Sequence, residues 1–125
     1  MNENLWPDFD VSEAPRSPKA VIEEAGSGLK DKTKDTIWFW TLGTNIRGNV
    51  VEARFSLYSR SLAYHYPFLV AKFPVDPLYP VTLTPDKMAE VQANNEQELI
   101  AALANIFNAP TTKETIQKLM GLGKT

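Results

Sequence analysis

The sequence predicts a two-layer α+β domain. It would have one N-terminal helix, an antiparallel meander of four or five strands, and two C-terminal helices packed on the sheet. Most aromatic residues lie between positions 36 and 83, where apolar and polar side chains alternate as they do in strands. Helix-like segments flank this stretch on both sides. Its connections are short, which favours antiparallel pairing of consecutive strands.

The composition is typical of a soluble globular protein, with 43% hydrophobic and 22% charged residues. The chain has no cysteine, which excludes disulfides, thiolate metal sites and a cysteine nucleophile. Its net charge of -2 lacks the basic excess of most nucleic-acid-binding proteins, so nucleic acid is not the expected partner. No signal-peptide pattern or membrane-spanning apolar run is visible, so a cytoplasmic protein without membrane contact is predicted.

Residues 1–16 are predicted to form a flexible acidic-aromatic tail, and residues 17–125 a single α+β domain. The tail contains two prolines and has no helical or strand period. The alternative is that it docks on a partner protein or a neighbouring subunit. Trp6 and Phe9 would then be its anchors, because aromatic side chains supply a large contact area at low entropic cost.

The first helix is predicted to begin at Ser17 and Pro18, because serine caps free amides and proline tolerates the first helical position. Gly26 and Gly28 each weaken a helix by about 1 kcal/mol relative to alanine. One alternative is that the helix ends near Ala25. We expect it to continue to about Lys34, with its small residues allowing a close approach to the sheet.

Five strands are then predicted, over residues 36–42, 51–59, 62–73, 79–84 and 88–93. In the first, Trp38 and Trp40 lie on one face and Phe39 on the other. Both faces are apolar, so we expect both to be covered, with the tryptophans packed in a core. An open face would instead mark an interaction patch. In the third strand, Pro67 cannot donate to the sheet ladder and predicts a β-bulge.

The second strand has the clearest alternation. Its inward face is apolar and its outward face is mixed and solvated, with the outward set being Glu52, Arg54, Ser56 and Tyr58. The two C-terminal helices are predicted to begin at Asn95 and at Thr111. Each of these residues is followed three positions later by a glutamate, which is a capping pattern.

No residue pattern predicts catalysis, a metal site or a cofactor. His65 is the only histidine, the acidic residues are scattered, and no nucleophile-elbow motif occurs. We therefore interpret His65 as structural, with a binding role as the alternative.

The leading hypothesis is a non-catalytic protein-interaction domain, such as an adaptor, an inhibitor or a subunit. Homodimerisation through the sheet face or an edge strand is a related prediction. The proposed binding residues are Trp6, Phe9, Arg54, Tyr58, Arg60 and His65.

Two alternatives stay open. One is a small-ligand-binding domain or enzyme with a cleft near His65, whose further candidates are Glu52, Arg54, Tyr64 and Tyr66. The weaker one is binding of single-stranded nucleic acid by the tyrosine and arginine face.

Overall fold

The computed structural model describes residues 4–124, in which one antiparallel sheet carries helices on one face. The strands are β1 (Ile37–Arg47), β2 (Val50–Ser59), β3 (Tyr64–Pro74), β4 (Val81–Pro85) and β5 (Val91–Ala93). The helices are α1 (Pro18–Gly26), α2 (Leu29–Lys32), α3 (Glu96–Phe107) and α4 (Pro110–Leu122). The sheet order is β1-β2-β3-β4-β5, so the predicted meander and the α+β class are confirmed.

The core lies between the helices and the inner face of the sheet. The predicted inward face of β2 is buried, and α1 and α3 contribute Ile22, Leu99 and Leu103 against it. Burying one such side chain contributes about 1.5–3 kcal/mol. Among residues 4–124, no helix has the length and apolar character needed to cross a bilayer.

The bulge predicted at Pro67 is present in β3. Phe55 pairs with Leu69 and Ser56 pairs with Pro67, which leaves Phe68 as the extra residue. Both Phe68 and Leu69 are consequently buried, although they are neighbours in the chain.

β1 is longer than predicted, because it continues to Arg47 through residues expected to form a loop. Its ladder with β2 contains one extra residue, Leu42, which shifts the register. A two-residue turn with Gly48 at a φ of 59° closes the hairpin. Gly43 and Asn45 favour a turn in this segment, but pairing with β2 overrides that preference.

The first helix does not continue to Lys34, contrary to the expectation. α1 ends at Gly26, and Ser27 donates both its amide and its hydroxyl to the Glu24 carbonyl oxygen, at 3.3 and 2.8 Å. This local bonding replaces the helical pattern, and α2 begins as a separate turn. The expected close approach is present: Gly26 is buried, and a methyl group built on it would overlap the Phe39 ring.

Two of the three predicted caps are present. The Ser17 hydroxyl accepts a hydrogen bond from the Ala20 amide at 3.1 Å, so α1 begins as expected. Asn95 accepts a hydrogen bond from the Glu98 amide at 2.9 Å, so α3 begins as expected. The cap predicted at Thr111 is wrong, because α4 begins one residue earlier, at Pro110. Pro110 has no backbone N–H, so α4 starts with one unbonded donor fewer, and Ala109 at the N-cap supplies no side-chain hydrogen bond.

Residues 4–16 precede α1 and contain one 3-10 turn, Val11–Glu13. The large apolar side chains of this segment are exposed: Leu5, Trp6, Phe9 and Val11. Residues 1–3 and 125 lie outside the described part of the chain, so the predicted tail is described only in part. Its flexibility stays a prediction.

The two glycines of the first helical region should respond in opposite ways to alanine. We expect Gly26→Ala to destabilise the protein by about 1–3 kcal/mol, because the added methyl group overlaps Phe39. Gly28→Ala should stabilise it by about 0.5 kcal/mol, since that position has a φ of -77° and open space. Urea unfolding measures both changes. Equal effects of the two substitutions would contradict the close approach.

Candidate functional site

The face of the sheet opposite the core carries four ring side chains that we call the outer aromatic cluster: Trp38, Trp40, Tyr58 and His65. Trp38 pairs across the ladder with Tyr58, and Tyr58 with His65, so the three share one row. Trp40 lies beside them and is 40% exposed. The expectation that both faces of β1 are covered is therefore wrong, because the described helices pack on the Phe39 side.

The rings of the cluster pack on one another. Ring centroids are 4.4 Å apart for Tyr58 and His65, 5.4 Å for Trp40 and Tyr58, and 5.6 Å for Trp40 and His65. Trp38 lies 6.2 Å from Trp40. These separations are typical of favourable aromatic pairs, each worth about 0.5–1.5 kcal/mol beyond the area it buries. The cluster is thus ordered by its own contacts.

Cationic side chains border the cluster at Trp38. The guanidinium of Arg60 lies 5.3 Å from the Trp38 ring and the ammonium of Lys30 lies 6.0 Å from it. Asp35 contacts both Arg60 and Trp38: it forms an ion pair with Arg60 and accepts a hydrogen bond from the Trp38 Nε1 at 2.9 Å. Trp38 is therefore held in place, with Lys30 and the Arg60–Asp35 ion pair at the edge of its ring.

Arg54 lies on the same face but belongs to a separate group of charges. It forms an ion pair with Glu52 at 3.2 Å, and Lys72 lies 3.7 Å from the same carboxylate. Exposed ion pairs of this kind contribute about 0–1 kcal/mol. Arg54 therefore extends the polar part of the face and adds little to its stability.

The structure brings together only some of the predicted binding residues. Tyr58 and His65 contact each other, and Arg60 reaches them through Trp38. Trp6 and Phe9 lie in the segment before α1 and are 77% and 76% exposed.

The two tryptophans belong to the site although core packing was expected of them. Their alternation with Phe39 was the available signal, because an inward Phe39 requires an outward Trp38 and Trp40.

Ser56 was expected on the solvated face but is fully buried, and its hydroxyl lies 2.9 Å from the His65 Nδ1. A serine beside a histidine is the pairing used in nucleophilic catalysis. Here the hydroxyl has no exposed surface, and among residues 4–124 no carboxylate hydrogen-bonds to His65. The bond holds the His65 ring against Tyr58.

Tyr66 and His65 do not share a cleft, because neighbouring residues of a strand point to opposite faces. The Tyr66 hydroxyl instead donates a hydrogen bond to Asp86 at 2.5 Å. This bond raises the pKa of Tyr66 above its usual value of 10.0, and burial and the Asp86 charge add to the effect. Tyr64 is 48% exposed at the start of β3.

Within the described residues, no three histidine, aspartate or glutamate side chains are grouped to hold a metal ion. Comparison with protein-family models, with curated proteins and with solved structures finds no match for this chain. The functional argument therefore rests on the geometry of the outer face.

The Tyr66–Asp86 bond should make stability fall in alkali. Because the folded-state pKa is raised, the bond stabilises the protein fully below the unfolded pKa of about 10, and this contribution is lost as pH rises through the folded pKa. Asp86→Asn should lower the pKa of Tyr66 and reduce the loss of stability above about pH 10. NMR titration and urea unfolding measure these effects. Asp76→Asn is the control, and an identical response of the two variants would contradict the assignment.

Proposed function

We propose that this protein is a non-catalytic protein-binding domain and that its binding surface is the outer aromatic cluster. The observation that supports this proposal is a sheet face that none of the described helices covers, on which Trp40 is exposed and Trp38, Tyr58 and His65 are half-buried. Soluble monomers rarely leave contiguous aromatic area in water, and such patches commonly serve binding. The buried Ser56 favours this proposal over an enzyme at His65, since a nucleophile must be reachable by its substrate.

The residue types of this surface suit a protein interface. Tryptophan, tyrosine and arginine are the side chains that most often dominate binding energy. The ring contacts and the Asp35 bonds restrict Trp38, Tyr58 and His65 before any partner arrives. Little side-chain entropy is then lost on association, which increases affinity.

The charges at the rim favour a partner segment with acidic and aromatic residues. Lys30 borders the Trp38 ring with no ion pair among residues 4–124 and can pair with a carboxylate, whereas Arg60 is already paired with Asp35. The rings can pack on apolar side chains. The first 16 residues of this chain have that chemistry. They contain four acidic residues and one arginine, so their formal charge is -3 and that of the remaining chain is +1.

A homodimer is the related proposal. A second copy could dock through the outer aromatic cluster or along β1, which is an edge strand of 11 residues. From Leu42 to Arg47 every residue of this strand is exposed. An exposed edge of this length offers unpaired backbone groups to another strand.

We place the domain in the cytoplasm, where a chain without cysteine is unaffected by reducing conditions.

Replacing Trp40 should abolish partner capture. We expect Trp40→Ser to reduce recovery of a partner from host lysate by at least about tenfold, as loss of a hot-spot residue does. Ile100→Ser is the matched control, because Ile100 is also exposed but lies on α3. Mass spectrometry identifies the partner, and thermal melting checks that both variants fold. Equal capture by Trp40→Ser and the unchanged protein would contradict the proposal.

Light scattering at micromolar concentration should show a dimer. Trp40→Ser should dissociate it if the sheet face is the contact, whereas Ile46→Lys should do so if the β1 edge is, because charged side chains prevent edge pairing. Ile46 is 60% exposed, so its replacement leaves the core intact. A monomer at this concentration would exclude the homodimer. Binding to a different protein would then be the remaining form of the proposal.

A further inference from the structure

A concave site lies on the opposite side of the sheet from the outer aromatic cluster. This helical cleft has a volume of about 390 Å³ and opens between α1–α2 and α3–α4. Its apolar lining includes Leu29, Phe39, Phe68, Phe107 and Ile116. The volume is within the range of about 300–1,000 Å³ that small-molecule sites occupy.

The cleft is held open by packed rings and by the interruption of the first helix. The Phe39 and Phe107 ring centroids are 5.5 Å apart, and Phe68 lies 6.5 and 6.4 Å from them. Ser27 and Gly28 separate α1 from α2 at the mouth, where Gly28 leaves open space. Phe39 and Phe107 are only partly buried, so apolar surface remains available to a ligand.

Among the polar side chains that line the cleft, the Lys32 ammonium group is available to a ligand. Thr112 donates to the Ile106 carbonyl oxygen at 2.6 Å and Asn108 donates to that of Ala104 at 2.8 Å, so both side chains serve the protein's own backbone. Lys32 is the only charged residue among those that line the cleft. Within residues 4–124 it forms no ion pair. Its ammonium group can therefore meet an anionic head group.

We propose that the helical cleft binds a small amphipathic carboxylate, with the apolar body between the helices and the carboxylate at Lys32. A medium-chain fatty acid has this chemistry. Apolar contact with the rings supplies most of the binding, and the charge at the rim sets the orientation and the preference for an acid. The site is independent of the outer aromatic cluster, because the sheet separates the two.

Calorimetric titration of the full chain with decanoate tests the proposal, with decanol as a neutral ligand of the same length. Decanoate should bind saturably at one site and at least about tenfold more tightly than decanol. Gly28→Leu should weaken decanoate binding by at least about tenfold, because its side chain fills open space at the mouth without backbone strain. Gly121→Leu is the matched control, since this helical glycine also has open space but lies outside the cleft.

Substitution of Lys32 provides a second test. Because Lys32 is exposed, its replacement does not disturb the core. Lys32→Glu should lose the preference for decanoate over decanol, and Lys32→Arg should keep it. Trp40→Ser should leave decanoate binding unchanged, so that failure of the cleft and failure of the protein-binding surface are distinguishable.

Three results would overturn the proposal. They are no saturable binding of decanoate at millimolar concentration, equal binding by Gly28→Leu and Gly121→Leu, or decanoate binding only after residues 1–14 are removed. The last result would show that the chain's own N-terminal segment, and not a small acid, occupies the cleft.

Discussion

The contact between the Gly26 backbone and the Phe39 ring determines how the two layers fit. Because Gly26 has no side chain, α1 packs directly on the Phe39 ring, which also stacks on Phe55 with centroids 5.2 Å apart. Phe39 also meets Phe68 and Phe107, so one ring joins three strands and α3. A strand alternates its faces, and an inward Phe39 therefore places its two tryptophan neighbours outside. Packing in the core thus decides what the protein presents on its surface.

The outer face is organised although none of the helices within residues 4–124 covers it. Ser56 is buried beneath the rings and bonded to His65, and Asp35 holds both Arg60 and Trp38. An ordinary solvated sheet face carries independent polar side chains, whereas this one carries rings that support one another. This order favours a recognition surface. It also explains the single histidine, which serves the packing of the cluster.

The interruption of the first helix has two structural consequences. Gly26 permits the close approach to the sheet, and Ser27 with Gly28 separates α1 from α2 at the mouth of the helical cleft. A residue with a strong helix preference at these positions would continue the helix across this gap. The weak helical propensity of the segment therefore serves the shape of the helical layer. β1 lies between the two sites, with Phe39 lining the cleft and the tryptophans forming the outer cluster.

Local patterns in the sequence determined the order of strands, the meander, the inward face of β2, the bulge at Pro67 and the cap at Asn95. Each depends on side-chain period or on groups a few residues apart, which a sequence displays directly. Only the tertiary structure decided which face of β1 is covered and what Ser56 and His65 contact. These features depend on pairs far apart in the chain, such as Gly26 with Phe39. Their proximity follows from how the helices lie on the sheet, which no local pattern specifies.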